Sequence, residues 1–376
     1  MSNFTVFVQL LYIVKFNVMP TLQSYLLYLI YRLKNLLKLK KKFESKAIAF
    51  YTTNINTINE NLIKLDSNKI ITIENLKLNP WFITGFTDGD GSFYIALRKD
   101  SSCKHGFSIG LEYKLVAEVN NLNLKLLESV KSYFNEIGTI SKDKNTYQYV
   151  VRSKNDLKKI SEHFNNYPLQ TTKYIHYMLW FKVLDLIETK EHLTLKGFMD
   201  ILAIKSVYPN GLSDSVKRAY PNIEPIIKPE FVNSNTKLNG HWIAGFTQAD
   251  GSFGLNYTKV SGMKLGYTCL PQFRITQHER DLIVLQKIIE SMECGNLINS
   301  SKTRQEWNIS ITSTSQLINK VIPFFQKFPI YGTKDLNFID FIKGIDIIKN
   351  KKHLSIEGLN ELKEIALKMN SSRKNN

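Results

Sequence analysis

Phe82, Ile83 and Phe86 recur at the three-to-four-residue spacing of a helix with one buried face. The helix is predicted to stop near Gly91, where a glycine in left-handed backbone can end it. The period then changes to two at Phe93, Ile95 and Leu97, the alternation of a half-buried strand. A second strand is predicted at residues 111–115 and a helix carries Leu124, Leu127 and Val130. Two further strands follow, the last at 147–152, and helices at 156–164 and 173–187 close the series. The same succession then returns. Phe253, Leu255 and Tyr257 alternate, a strand follows at 272–276, and Leu282, Leu285 and Ile288 mark a helix. The last strand is at 307–312, with helices at 316–327 and 334–348. The order αββαββα with extra C-terminal helices predicts an α+β fold, each half built on an antiparallel sheet.

The repetition is also literal. Trp81-Phe82-Ile83-Thr84-Gly85-Phe86-Thr87-Asp88-Gly89-Asp90-Gly91-Ser92-Phe93 is answered by Trp242-Ile243-Ala244-Gly245-Phe246-Thr247-Gln248-Ala249-Asp250-Gly251-Ser252-Phe253, and Asp90 and Asp250 stand 160 residues apart. Tyr167-Pro168 through Thr172-Lys173 returns as Phe328-Pro329 through Thr333-Lys334, and His192-Leu193 through Gly197 as His353-Leu354 through Gly358, each at 161 residues. A period this long implies two similar domains, since solenoid units are far shorter. The chain therefore divides into an N-terminal extension at 1–75, a first domain at 76–207, a linker at 208–240 and a second domain at 241–370. The linker, with Pro209, Gly211, Pro221, Pro225 and Pro229, is long enough to let the second domain turn and face the first.

At 376 residues and 43% hydrophobic content the chain can bury two ordinary cores. Its formal charge of +17 comes mostly from lysine, since only 8 of the 50 basic residues are arginine. Such a surplus points to a polyanionic partner, although abundant Lys, Asn, Ile, Tyr and Phe also fit an AT-rich gene. Cys103, Cys269 and Cys294 form no CxxC pair, so neither a disulfide framework nor a zinc knuckle is supported. The first 43 residues lack Asp and Glu but hold Lys15, Arg32, Lys34, Lys38, Lys40, Lys41 and Lys42. Polar residues interrupt their apolar runs before either reaches the length of a stable membrane span. A transit peptide, a remnant of fusion to an upstream frame and a surface-lying helix all fit this start.

The repeated helix carries the chemistry. Gly85 and Gly89, like Gly245 and Ala249, are four residues apart and place small residues on one helix face. The two helices can therefore pack together as the domain interface. Packing them would bring Asp90 and Asp250 close, at helix ends where a carboxylate opposes the macrodipole and each repels the other. A cation resolves both penalties, and oxygen-only acidic coordination suits Mg²⁺, with Mn²⁺ as an alternative.

At these residues the chain resembles the LAGLIDADG homing endonucleases, over roughly 76–370, in their single-chain, two-motif form. Residues 83–91 and 243–251 each fit the nine-residue pattern. The resemblance implies that Asp90 and Asp250 bind metal, with the backbone carbonyls of Gly89 and Ala249 beside them. Asp88 matches the sixth motif position, where Gln248 departs from the pattern. It further implies Lys173 and Lys334 near the scissile phosphates, and Gln277 orienting the attacking water. Ala117, Glu118 and Val119 remain alternatives for that last position in the first copy.

The sheets should form a DNA-reading saddle. Alternation turns Tyr94, Arg98, Glu112, Lys114, Gln148 and Arg152 outward in the first copy, and Asn256, Thr258, Gln272, Arg274, Asn308, Ser310 and Thr312 in the second. Arginine favours guanine edges, and glutamine or asparagine adenine. The resulting expectation is a monomeric, intron-encoded endonuclease that cuts both strands of a long pseudo-palindromic DNA site with a divalent metal. A mitochondrion, or alternatively a chloroplast, would house it. An RNA maturase acting on its host intron and a catalytically inactive DNA-binding regulator are the alternatives.

Overall fold

A computed structural model describes residues 76–231, 236–370 and Arg373. The expectations for the extension at 1–75 lie outside the described residues.

The fold begins with the first motif helix, Pro80–Asp90, where Asn79 Oδ1 accepts the Trp81 N–H at 3.0 Å and Pro80 supplies a preset φ. The second motif helix, Gly240–Asp250, opens the same way, with Asn239 Oδ1 accepting from His241 N at 2.9 Å. Neither helix ends on a left-handed glycine. Gly91 has φ −85° and ψ 159°, already extended, and Gly251 matches it at −81° and 157°. Glycine is needed there for space, because a Cβ on Gly91 would stand 2.7 Å from the Thr87 carbonyl oxygen.

From each motif helix the chain runs directly into a hairpin, β1 (Gly91–Lys99) with β2 (Phe107–Glu118), and β5 (Gly251–Lys259) with β6 (Tyr267–His278). A helix follows in each copy, Asn121–Tyr133 and Leu282–Met292. The outer hairpins are β3 (Thr139–Asp143) with β4 (Thr146–Val151), and β7 (Asn296–Ser301) with β8 (Glu306–Ile311). The sheets are antiparallel with orders β1-β2-β4-β3 and β5-β6-β8-β7. Their registers coincide, Gly91 opposite Leu115 and Gly251 opposite Ile275.

The helices of each copy cover one face of its sheet around a matched aromatic cluster. Phe93 meets Tyr113, Phe164, Tyr177 and Trp180 at ring distances of 5.2–5.5 Å. In the second copy Phe253 meets Phe273, Phe325, Phe338 and Phe341 at 5.0–5.5 Å. These phenylalanines stand 160 or 161 residues after their counterparts, so five positions keep the core while the side chains vary. One helix differs in kind. Lys154–Asn166 is regular, but its counterpart widens into a π turn at Leu317–Val321 before Ile322–Lys327. Pro323 accounts for this, since its ring cannot sit against the carbonyl four residues back in a regular helix.

The linker is not wholly irregular. Helix Asp214–Ala219 presses Val216 against Phe107, Phe198 and Leu202, tying that stretch to the first copy. Among the described residues no helix is long and apolar enough to cross a membrane.

Candidate functional site

The two motif helices lie against each other in a close backbone contact, and the glycines permit it. A Cβ on Gly85 would collide with the Trp242 carbonyl oxygen and lie 2.8 Å from Phe246 N. A Cβ on Gly245 would meet Phe82 O and Phe86 N in the same way. This reciprocity is a local two-fold axis. At its lower end Gly89 faces Ala249, and a Cβ on Gly89 would overlap that of Ala249 and stand 3.2 Å from Asp250 Oδ2.

Asp90 and Asp250 end these helices, and each opens into its own recess. The first holds Asp90, Ala117, Glu118, Ala249 and Lys334. The second holds Asp250, Gly89, Lys173, Gln277 and Asp281. Each recess thus takes its terminal acid from one copy and the residue before the acid from the other. Burial and the Asp250 carboxylate push Asp90 up to about 6, with Lys173 and Lys334 opposing. Burial also raises Asp250, against the hydrogen bond from Gln277 Nε2 to its Oδ2 at 2.7 Å.

The lysines do more than line the recesses. Lys173 Nζ donates to the carbonyls of Thr87 (2.9 Å), Gly89 (2.7 Å) and Gly91 (2.6 Å), closing the open end of the first motif helix. Lys334 Nζ donates to Gly251 O and, at 3.5 Å, to Ala249 O. Burial lowers the pKa of Lys173 while Asp88, Asp250 and Asp90 pull it back up. The two carbonyls assigned from sequence to metal are thus the ones these ammonium groups hold.

The sixth motif position has a structural task in both copies. Asp88 is buried and accepts from Gln170 N (2.8 Å), Thr171 Oγ1 (2.6 Å) and, across the interface, Trp242 Nε1 (2.8 Å). Burial raises it to about 6 in spite of these donors. Gln248 Oε1 accepts the Tyr331 N–H at 3.2 Å, anchoring the equivalent loop without a charge.

Two further residues escaped the sequence reading. Asp281 Oδ1 of the second copy accepts Thr172 N of the first at 2.7 Å, and Asn123 Oδ1 of the first accepts Thr333 N of the second at 3.0 Å. The threonines are repeat partners, but Asn123 and Asp281 are not at the repeat offset, so no motif pointed to them. In the first recess, strand register places Ala117 at the position of Gln277, since Leu115 and Ile275 face matching glycines. Glu118 is the polar neighbour there, and its charge adds to the upward push on Asp90.

On the opposite sheet faces Tyr94, Arg98, Arg152, Asn256, Thr258 and Arg274 are exposed, while Glu112, Lys114, Gln148, Gln272, Ser310 and Thr312 are half-buried. Thr312 lies just past the end of β8. Asn308 does not belong to the exposed set. It is 6% exposed, because β8 runs between β6 and β7 and Asn308 is flanked by Thr276 and Ile298. The two faces differ chemically. Glu112 bridges Arg152 at 2.6 Å and Lys114 at 3.8 Å, whereas Asn256 donates to Gln272 and Gln272 to Ser310 in a neutral chain. Gln148 is held by Asp143 at 2.8 Å.

Two α+β halves joined through glycine-faced helices, with an acid at the end of each, define a pseudo-symmetric protein with paired acidic recesses. The chain belongs to the LAGLIDADG endonuclease family, whose pattern matches residues 83–184 and 243–345. It is 36% identical to the I-SmaMI LAGLIDADG homing endonuclease bound to cleaved DNA, with a TM-score of 0.75, covering 79% of this chain and 98% of that one. The same enzyme has also been solved on an uncleaved DNA target in the presence of calcium ions. A probable intron-encoded endonuclease 3 of Neurospora crassa is 32% identical over 289 residues, 76% of this chain and 54% of that protein. The chain thus spans about half the length of that curated relative. An uncharacterized mitochondrial protein, RF1, of Saccharomyces cerevisiae is 25% identical over 361 residues, 86% of this chain and 68% of its own length.

Proposed function

We propose that this chain is a site-specific DNA endonuclease that cuts both strands of a long, nearly palindromic duplex as a monomer, one strand at each recess. The observation that carries this reading is the crossed construction of the recesses, each pairing an acid from one copy with the neighbouring carbonyl from the other. Neither half owns a complete recess, which is the arrangement that a duplex with two scissile phosphates requires. The charge of +17 suits the phosphate backbone. The relatives add an intron-encoded origin and a mitochondrial setting.

A divalent cation fits the donors present. Two carboxylates raised by burial, one of them also by the other's charge, are costly together and are relieved by a cation between them. Among the described residues no group of three or more His, Cys, Asp or Glu side chains gathers, so a closed protein cage is not formed. Few protein oxygens suit Mg²⁺, which retains waters. Asp90 and Asp250, with the carbonyls of Gly89 and Ala249, would hold it. When bound it supplies positive charge that polarises a phosphate and acidifies a water. Gln277 fixes the Asp250 carboxylate through its hydrogen bond. Lys173 and Lys334 hold the helix ends and set positive charge beside the phosphates.

The test is selection from a randomised duplex library with purified protein and Mg²⁺. The reading predicts enrichment of one long, pseudo-palindromic site cut in both strands. Cut ends without a common sequence, or no cutting that depends on added metal, would contradict it.

A further inference from the structure

Lys205, on the helix Leu195–Ser206, is 4% exposed, and among the described residues its ammonium has no hydrogen-bond partner. Two rings enclose it, Tyr208 at 5.1 Å and Tyr94 at 5.2 Å from Nζ. Tyr208 is fixed, since its hydroxyl donates to the carbonyl of Phe93 and, at 3.3 Å, to that of His176. Tyr94 is different. It is 40% exposed and lines an open groove on the first sheet together with Arg98, Lys114, Arg152 and Lys154. Ring faces attract a cation but satisfy none of its three N–H donors. A methionine would fill the same space without the desolvation cost of a charge.

The second copy provides the control. The matching helix, Ile356–Leu367, carries Ala366 at the position of Lys205, and β5 carries Gly254 at that of Tyr94. Cation and covering ring are both present in one half and both absent from the other, although the backbone is shared. The helix therefore packs without the lysine, and structure alone does not require it.

We propose that Lys205 is a DNA-backbone contact of the first half, covered by Tyr94 until duplex DNA lies on the sheet, when the ring turns aside and the ammonium donates to a phosphate oxygen. The inference rests on the endonuclease reading. It deepens that reading by giving the first half a phosphate anchor that the second lacks. Burial lowers the pKa of the Lys205 ammonium, so a phosphate would also restore its charged form.

The test compares Lys205→Met and Lys205→Arg with the parental protein. Affinity for the selected duplex is measured over a salt series in chelating buffer, together with thermal unfolding. A lost phosphate contact lowers the slope of log K against log salt by about 0.9 in the methionine variant and leaves it unchanged in the arginine variant. The methionine variant is also at least as stable as the parent. An unchanged slope in Lys205→Met, or a loss of stability with the slope intact, would overturn the inference while leaving the endonuclease reading standing. Failure of the parental protein to bind any duplex would overturn both.

Discussion

The two recesses share a backbone and differ in their side chains. In the second, Gln277 holds Asp250, and Asp281 fastens the loop that leads to Lys173. In the first, Ala117 stands where Gln277 would be, Glu118 places a further carboxylate near Asp90, and Asn123 does the fastening. One acid is clamped by a neutral amide and the other is pressed by like charge. Duplication preserved what the shared interface needs, the glycine contacts and the terminal acids, and left the periphery free to diverge. The halves of this molecule are equal in fold and unequal in chemistry.

The acids should be equally indispensable. Asp90→Asn and Asp250→Asn are each expected to lower double-strand cleavage by roughly a hundredfold or more, with DNA binding largely retained, because charge is lost while the saddle is not. Gel-shift and cleavage assays on the same preparations check this. Near-parental cutting by either variant would remove that acid from the site.

Gly85→Val and Gly245→Val should also act alike, since each glycine meets the partner backbone at the same distances. Overpacking costs about 1–3 kcal/mol and should separate the two acids, so cleavage falls further than the melting temperature does. Unequal losses would show that the axis is less symmetric than its contacts.

The fasteners should separate the halves. Asp281→Ala removes charge-assisted hydrogen bonds worth about 1.5–3 kcal/mol, and Asn123→Ala neutral ones worth about 0.5–1.5 kcal/mol. Chemical denaturation ranks them, and a costlier loss at Asn123 would reverse the comparison.

Acidity gives the smallest contrast. Burial and the Asp250 charge hold Asp90 at about 6 against an ordinary 3.8, so this group favours the folded state at low pH. That contribution is full below about 4 and lost as pH rises through about 6. In chelating buffer Asp90→Asn should therefore gain on the parental protein between about pH 4 and about pH 7.5. Asp250→Asn should gain less, because Gln277 already lowers the pKa of that acid. Melting temperatures across this range test the sign.

Much of this was legible in the sequence because burial leaves periodic traces. Phe93, Ile95 and Leu97, repeated as Phe253, Leu255 and Tyr257, announced the strands, and Gly85 with Gly245 announced the interface. Fastening by Asp281 and Asn123 was not legible, because side chains from unmatched positions converge only in three dimensions. Lys173 and Lys334 read as phosphate ligands, and their grip on helix carbonyls depends on where the following helix begins. Asn308 read as exposed because alternation knows two faces but not which strand is central. Pro323 announced a fault in its helix, and only the backbone showed a π turn rather than a break.

The central claim is that each recess serves one strand and that they are not equivalent. Following the two labelled strands of the selected duplex separately, in the parental protein and in Gln277→Ala, tests it directly. Removing the residue that orients Asp250 should slow one strand by roughly tenfold and leave the other near its parental rate, so that nicked DNA accumulates. Equal slowing of both strands, with no nicked intermediate, would contradict the account.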